Sequence, residues 1–310
     1  MSVIATLTLN PAIDKSTSVD QVVADDKLRC ESPTREAGGG GLNVARVIDR
    51  LGGSAQAVYT SGGLTGQMLE ELLDNEALTH TPVSTTDWTR ENMIVTETST
   101  NRQYRFGMPG PEMTAAELDE CLDAIRTLDP TPDHIVASGS LPPGLPDDTY
   151  RAVADLAREI DARAILDTSG AALKRAVDAG WYLLKPNLRE LEQMAGAELT
   201  TDPERIDAAR ALIDRGWGEV LAVSMGAAGA LFVSADRTAF IRSPTVPIRS
   251  RVGAGDSMVA GLTWALARGD APETAVRVGV AAGAAAVMTP GTELCHRDDV
   301  ETLFEQIRGE

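Results

Sequence analysis

Residues 181–190 read Trp-Tyr-Leu-Leu-Lys-Pro-Asn-Leu-Arg-Glu, and this stretch decides the fold class. Trp181–Leu184 is an apolar run of strand length. Pro186 ends it, since proline lacks the N–H that a sheet neighbour needs. Asn187 and Glu190 then stand three apart, on one face of the next turn. A strand thus runs into a helical turn through a polar corner. The same alternation continues outward in both directions. Strands are predicted at Val3–Leu9, Ala55–Tyr59, His134–Ala137, Ala164–Asp167, Glu219–Val223 and Ala230–Val233. Helices are predicted at Asn43–Leu51, Thr114–Leu128, Asp147–Glu159, Asp202–Arg215, Asp256–Arg268, Pro272–Met288 and Arg297–Ile307. In the first of these, Val44, Val47, Ile48 and Leu51 share a face. The second opens with a capping box, Thr114 followed by Glu117. Strands alternating with helices build an α/β fold with a central, mostly parallel sheet flanked by helices.

Two segments break the alternation. Residues 12–33 and 87–108 read as β without helices between them. In the second, Met93 and Val95, then Tyr104 and Phe106, alternate around a turn at Thr100–Asn101. A sheet this small is not stable alone. It is expected to form a lid over the α/β core of residues 1–11, 34–86 and 109–310, and to pack against something, such as a second subunit.

Composition narrows the partners. The chain has 310 residues and a net charge of −18, which disfavours nucleic acid, where affinity comes largely from Lys and Arg on phosphates. It also disfavours an anionic membrane surface. No apolar run is long enough to span a bilayer, and Met1 to Leu9 lacks the basic region of a signal peptide. Cys30, Cys121 and Cys295 are scattered and odd in number, as suits a reducing cytoplasm. His80, His134 and His296 are equally dispersed, so no structural zinc site is expected. There are only 4 lysines against 24 arginines. A saline cytoplasm would favour such an acidic, Lys-poor surface, and a GC-rich genome would produce the same swap of Arg for Lys.

Parallel α/β sheets bind ligands at the carboxyl ends of their strands, and polar, Gly-rich runs lie there. Gly38-Gly39-Gly40-Gly41-Leu42-Asn43 bares backbone N–H groups before a helix, which suits a phosphorylated or hydroxyl-rich ligand. It is not the GxGxxG fingerprint, whose third glycine would fall on Val44, and no Walker motif occurs. Gly253-Ala254-Gly255-Asp256-Ser257 offers an anion hole and a carboxylate that either accepts a hydroxyl proton or caps the helix. In Lys185-Pro186-Asn187-Leu188-Arg189-Glu190, the Asn and Glu either hold Mg²⁺ or form a capping box, and Lys185 presents a charge to phosphates. Ser224-Met225-Gly226-Ala227-Ala228-Gly229 reads as a Gly-rich turn that either wraps phosphates or is a plain turn, and Ser138-Gly139-Ser140 either contacts a polar ligand or forms a rigid turn. Lys27, Arg90 and Arg105, in the expected lid, either bind a sugar phosphate or sit solvated on the sheet.

The order of these motifs resembles the PfkB, or ribokinase-like, carbohydrate kinase family along the whole chain. Lys185-Pro186-Asn187-x-x-Glu190 and Gly253-Ala254-Gly255-Asp256-Ser257 carry the resemblance, and their joint occurrence is far more specific than either alone. The start Thr8-Leu9-Asn10-Pro11-Ala12-Ile13-Asp14 is similar to the branch that phosphorylates sugar phosphates. Branch members acting on fructose 1-phosphate or tagatose 6-phosphate usually carry lysine where this chain has Gly40, and the four-glycine run is similar to those acting on fructose 6-phosphate.

The resemblance implies an ATP-dependent kinase making fructose 1,6-bisphosphate, with a fructose-1-phosphate or tagatose-6-phosphate kinase as the alternative and a non-catalytic sugar-phosphate sensor behind both. It implies that Asp256 is the proton acceptor and that Gly253, Ala254 and Gly255 form the anion hole. Asp14, Gly39, Gly40 and Asn43 would hold sugar hydroxyls. Ser140, Lys27, Arg90 and Arg105 would surround the sugar and its phosphate, with Arg90 open to donation from a second copy's lid. Lys185, Asn187, Ser224, Gly226 and Gly229 would contact ATP, and Asn187 and Glu190 would organise Mg²⁺. The positions Ser250, Val252, Ala286 and Gly291 match loop carbonyls that hold K⁺. A homodimer through the lid is also implied. Ile248, Val23 and Glu293 depart from the pattern, at positions tied to nucleotide contact, to inhibition by a second MgATP and to cation preference.

Overall fold

The computed structural model describes residues 2–309. The chain opens with β1 (Ile4–Thr8), β2 (Ala12–Val19), β3 (Thr34–Gly38) and α1 (Gly40–Arg50). β4 (Ala55–Ser61), α2 (Gly63–Asn75), β5 (His80–Ser84), β6 (Arg90–Glu97), β7 (Arg102–Phe106) and α3 (Ala115–Arg126) follow. The middle holds β8 (His134–Ser138), α4 (Tyr150–Glu159), β9 (Arg163–Asp167), α5 (Gly170–Ala176), β10 (Trp181–Leu184) and α6 (Leu188–Ala195). Next come α7 (Asp202–Asp214), β11 (Gly218–Ser224), β12 (Ala230–Ser234) and β13 (Thr238–Ile241). The chain closes with α8 (Ala254–Ala267), α9 (Pro272–Ala286) and α10 (Arg297–Ile307).

Nine strands form one sheet in the order β13-β12-β11-β10-β9-β8-β1-β4-β5. Its pairings are parallel from β11 to β5 and antiparallel at β12 and β13. Alternation along each strand divides the core in two. Ile4, Ala57, Val136, Ile165 and Leu183 face α1, α8 and α9. Ala5, Leu7, Val58, Ile135 and Leu184 face the layer of α3, α4 and α7. On the first face α8 and α9 pack very closely. A Cβ on Gly261 would lie 2.8 Å from Ala282 Cβ, and one on Gly279 would lie 2.7 Å from the Met258 carbonyl oxygen. Only glycine allows that approach.

The second sheet runs β3-β2-β6-β7, so the expected separate β-sheet exists, with one shift. Residues 20–33 form no strand, and the strand expected there lies at Thr34–Gly38 instead. The β6–β7 turn falls over 98–101, with Asn101 at φ 56°, a conformation asparagine tolerates. All seven predicted strands of the large sheet are present. Four elements lay outside the sequence reading, α2, β5, α5 and β13, while α6 extends the helical turn expected at Asn187–Glu190.

Candidate active site

Loops at the carboxyl ends of β1, β8, β9, β10 and β11 converge on the N-termini of α1 and α8. The second of these helices carries the Asp256 carboxylate on its first turn. Its N-cap is Gly253 in a left-handed turn, φ 74°. Asp256 is therefore the third helical residue and not the cap, contrary to that alternative. The amides of Ala254, Gly255 and Asp256 fall in the first turn, where no intrahelical acceptor exists. They and the helix dipole make a site for negative charge.

Asp256 Oδ2 accepts from Asn43 Nδ2 at 2.8 Å. Burial pushes its carboxyl up to about 6, helped by the Asp167 carboxylate and opposed by the Asn43 hydrogen bond and Lys185. A carboxylate so tuned is a good proton acceptor near neutral pH. Lys185 is buried and pairs with Asp167 Oδ1 at 3.0 Å. Burial opposes its charge, but Asp167, Glu190 and Asp256 outweigh that, and its pKa rises above the ordinary lysine value. It stays charged and points at the helix start, with Nζ 3.8 Å from where a Cβ on Gly255 would sit. By sequence Asp167 simply ends a strand, and its signal is an acid at the carboxyl end of a parallel strand.

One flank of Asp256 has the chemistry of a sugar-phosphate pocket. Asp14 Oδ1 accepts from Asn92 Nδ2 at 2.8 Å. Burial raises Asp14's pKa, against that bond and the charges of Arg90, Arg105 and Arg46. Arg90 reaches the site within its own chain. Its Nε, Nη1 and Nη2 donate to the carbonyls of Pro11, Met108 and Asn10 at 3.3, 3.0 and 2.9 Å. Each terminal nitrogen keeps a second N–H for a ligand. Asn10 Nδ2 donates to Ser140 Oγ at 3.1 Å and ties the β1 and β8 loops together. Gly39 caps α1 at φ 123°. A Cβ on Gly40 would lie 2.3 Å from Ser138 Oγ, so its backbone presses directly on the β8 loop. Lys27 and Arg105 are exposed. Arg105 is near enough to act on Asp14, whereas Lys27 makes only a backbone contact with Asp26.

The other flank fits a nucleotide. Asn187 and Glu190 form a complete capping box for α6: Asn187 Oδ1 accepts from the Glu190 amide at 2.9 Å, and Glu190 Oε2 accepts from the Asn187 amide at 2.8 Å. The box leaves Glu190 Oε1 to face another group, and burial raises the Glu190 carboxyl. The Ser224 amide donates to the Pro186 carbonyl at 2.9 Å, which locks this turn to the β11 loop. There Gly226–Ala228 form a short, exposed turn between Gly226 (φ 58°) and Gly229 (φ 98°). A Cβ on Gly229 would meet the Ile241 carbonyl oxygen at 1.9 Å.

Behind the helix start, Ser250 Oγ donates to the Gly291 carbonyl at 2.6 Å and accepts from the Val252 amide at 3.2 Å. Thr289 Oγ1 donates to the Ala286 carbonyl at 2.8 Å. The two expected cation loops are thus bonded side by side. Each carbonyl retains a second lone pair, which fits a monovalent cation.

The model for the pfkB family of carbohydrate kinases matches residues 6–299. The chain is 47% identical over 304 residues to the ATP-dependent 6-phosphofructokinase isozyme 2 of Mycobacterium tuberculosis, covering 97% of this chain and 89% of that one. It is 31% identical to the 1-phosphofructokinase of Bacillus subtilis, covering 98% of both. It superposes on the crystal structure of Escherichia coli Phosphofructokinase-2 in complex with potassium with a TM-score of 0.94, at 39% identity, covering 99% of this chain and 100% of that one.

Proposed function

The chain belongs to the pfkB family of carbohydrate kinases, and on that premise we propose that its site transfers the γ-phosphoryl of ATP to the C1 hydroxyl of fructose 6-phosphate. It is a sugar-phosphate kinase whose product is fructose 1,6-bisphosphate. The observation that carries the reading is the Asp256 carboxylate on the first turn of α8, held by Asn43 and flanked by a sugar-side arginine clamp and a nucleotide-side glycine turn.

Asp256 takes the proton of the C1 hydroxyl as its oxygen attacks in line. The Ala254, Gly255 and Asp256 amides meet the charge that moves with the phosphoryl. Asp14, Gly39, Gly40, Asn43 and Ser140 orient the sugar, and Arg90 and Arg105 bind its 6-phosphate in forked geometry. Lys27 joins them only if its loop closes. Lys185, Asn187, Ser224, Gly226 and Gly229 hold ATP. Glu190 Oε1 and Asn187 suit a hydrated Mg²⁺, which supplies charge neutralisation on the phosphates. The carbonyls of Ser250, Val252, Ala286 and Gly291 would hold K⁺, which stiffens the loop leading into α8.

The small sheet supports a homodimer. By register, Met93 faces Phe106 across β6 and β7, and both are exposed, at 38% and 48%. A second copy fits this apolar face and would close the lid against water. Cys30, Cys121 and Cys295 are free, which suits a reducing cytoplasm. Among the described residues no helix is long and apolar enough to cross a membrane.

The test is ADP release with Mg-ATP and K⁺, comparing fructose 6-phosphate, fructose 1-phosphate, tagatose 6-phosphate and fructose at low and molar KCl. Fructose 6-phosphate is expected to have the highest kcat/KM. A higher value for fructose 1-phosphate or tagatose 6-phosphate would overturn the substrate and keep the mechanism. No turnover of any of the four would leave a sensor.

A further inference from the structure

Beneath the site lies a buried cation that would touch neither substrate. Arg46 of α1 is 3% exposed. Its Nε and Nη2 donate to Glu76 Oε2 and Oε1 at 2.8 and 2.7 Å, a forked pair with the residue that ends α2. Its Nη1 donates to the Ala37 carbonyl at 2.8 Å and to Asn43 Oδ1 at 3.3 Å. The two ends of the Asn43 amide differ, and a guanidinium cannot accept a hydrogen bond. Arg46 therefore claims the oxygen end, and Nδ2 is left to donate to Asp256.

We infer that Arg46, clamped by Glu76, is a positioning residue for phosphoryl transfer. It fixes the Asn43 amide so that its N–H holds Asp256 Oδ2, leaving Oδ1 to take the proton of the sugar hydroxyl. The chain Glu76–Arg46–Asn43–Asp256 joins the end of α2 to the base through α1. Without Arg46 the amide is free to turn and set an oxygen against the carboxylate, which repels it. The other charged groups facing Asp256 are Asp167 at the end of β9, Lys185 after β10 and Asp14 on β2. None of them orients the amide. This role rests on Asp256 being the base proposed above.

A cavity of about 730 Å³ opens beside Arg46, lined also by Glu36, Asp49, Arg50, Glu76 and Thr292. Truncating Arg46 would therefore leave space that a free guanidinium ion can enter. The experiment is steady-state kinetics with fructose 6-phosphate and Mg-ATP on Arg46→Ala, Arg46→Met and Glu76→Gln, with thermal melts as a check of folding. In Arg46→Ala, kcat is expected to fall about tenfold or more, and KM for the sugar should rise with it, because Asn43 also orients the sugar. The acid limb of kcat, read at saturating sugar, should shift to higher pH, because the Asn43 bond lowers the Asp256 pKa and is lost; kcat/KM would mix in Asp14, which Arg46 also lowers. Guanidinium chloride at tens of millimolar should restore part of kcat in Arg46→Ala, but not in Arg46→Met, where the thioether fills the space, and should not raise the wild type. Wild-type kcat in folded Arg46→Ala would overturn the inference, as would a loss with an unmoved acid limb and no rescue. If Arg46→Ala does not fold, Glu76→Gln decides: a lower kcat with the acid limb at higher pH supports the role, and a wild-type profile overturns it. A wild-type protein inactive on fructose 6-phosphate would instead sink the functional reading.

Discussion

At the scale of single residues, the site turns on Asp256 and Gly40. As the proposed base, the Asp256 carboxyl, pushed up to about 6, accepts a proton only when ionised, so kcat/KM should rise as pH climbs through about 6 and then level. Asp256→Asn should lose about 10²–10⁴ in kcat while calorimetry still detects both substrates, and near-normal turnover would refute the base. Stability should move the other way. An acid whose pKa is higher folded than unfolded weakens the fold wherever it is ionised, so Asp256→Asn should melt higher than wild type at pH 8. Gly40 has a second significance. Its missing side chain is required by Ser138, which is buried and donates to Asp167 Oδ2 at 3.4 Å. Gly40→Ala should cost roughly 1–3 kcal/mol by overpacking, measured by urea denaturation, and should raise KM for the sugar. An unchanged midpoint would show that the β8 loop yields freely.

At the scale of elements, local chemistry was legible where side chains announce an end. The Thr114–Glu117 box forms as expected, with the Glu117 amide donating to Thr114 Oγ1 and Glu117 Oε2 accepting from the Thr114 amide. Thr114→Ala should cost about 1 kcal/mol of stability in chemical denaturation. Elements were missed where that signal is absent. α2 begins at Gly62–Gly63 with no capping side chain, so its start reads as a turn, although Leu64, Met68, Leu69, Leu72 and Leu73 keep helical spacing. β5 contains Pro82, which argues against a strand by composition. It survives because β5 is the edge strand of the large sheet, where a missing N–H is tolerated. Missing α2 also hid Glu76, and with it the reason Arg46 is buried.

At the scale of the whole molecule, the small sheet is the element that leaves an apolar face, Met93 and Phe106, exposed. Its strands put Asp14, Asn92, Ile94 and Arg105 on one face by register, and Met93 and Phe106 on the other. The first face bears on the proposed sugar site, and the second is the proposed contact between copies. Phe106→Asp should therefore convert a dimer into monomers in sedimentation velocity and raise KM for fructose 6-phosphate. A wild-type chain that sediments as a monomer at micromolar concentration would remove the dimer and leave the catalytic site intact.

The sequence alone carries the α/β class, seven of the nine strands of the large sheet and the motifs around Lys185 and Asp256, because each rests on local periodicity or on a turn that few residues can make. Only the tertiary structure shows where each ambiguous residue stands and what it touches. Asp256 is a base candidate and not a cap because Gly253 occupies the cap. Asn187 and Glu190 complete a capping box and still face the nucleotide flank. Lys185 remains charged because Asp167, from the neighbouring strand, lies beside it. The Arg46–Asn43–Asp256 chain links residues far apart in sequence. Such pairings follow from how strands and helices are brought together, and no local pattern encodes a contact between distant side chains.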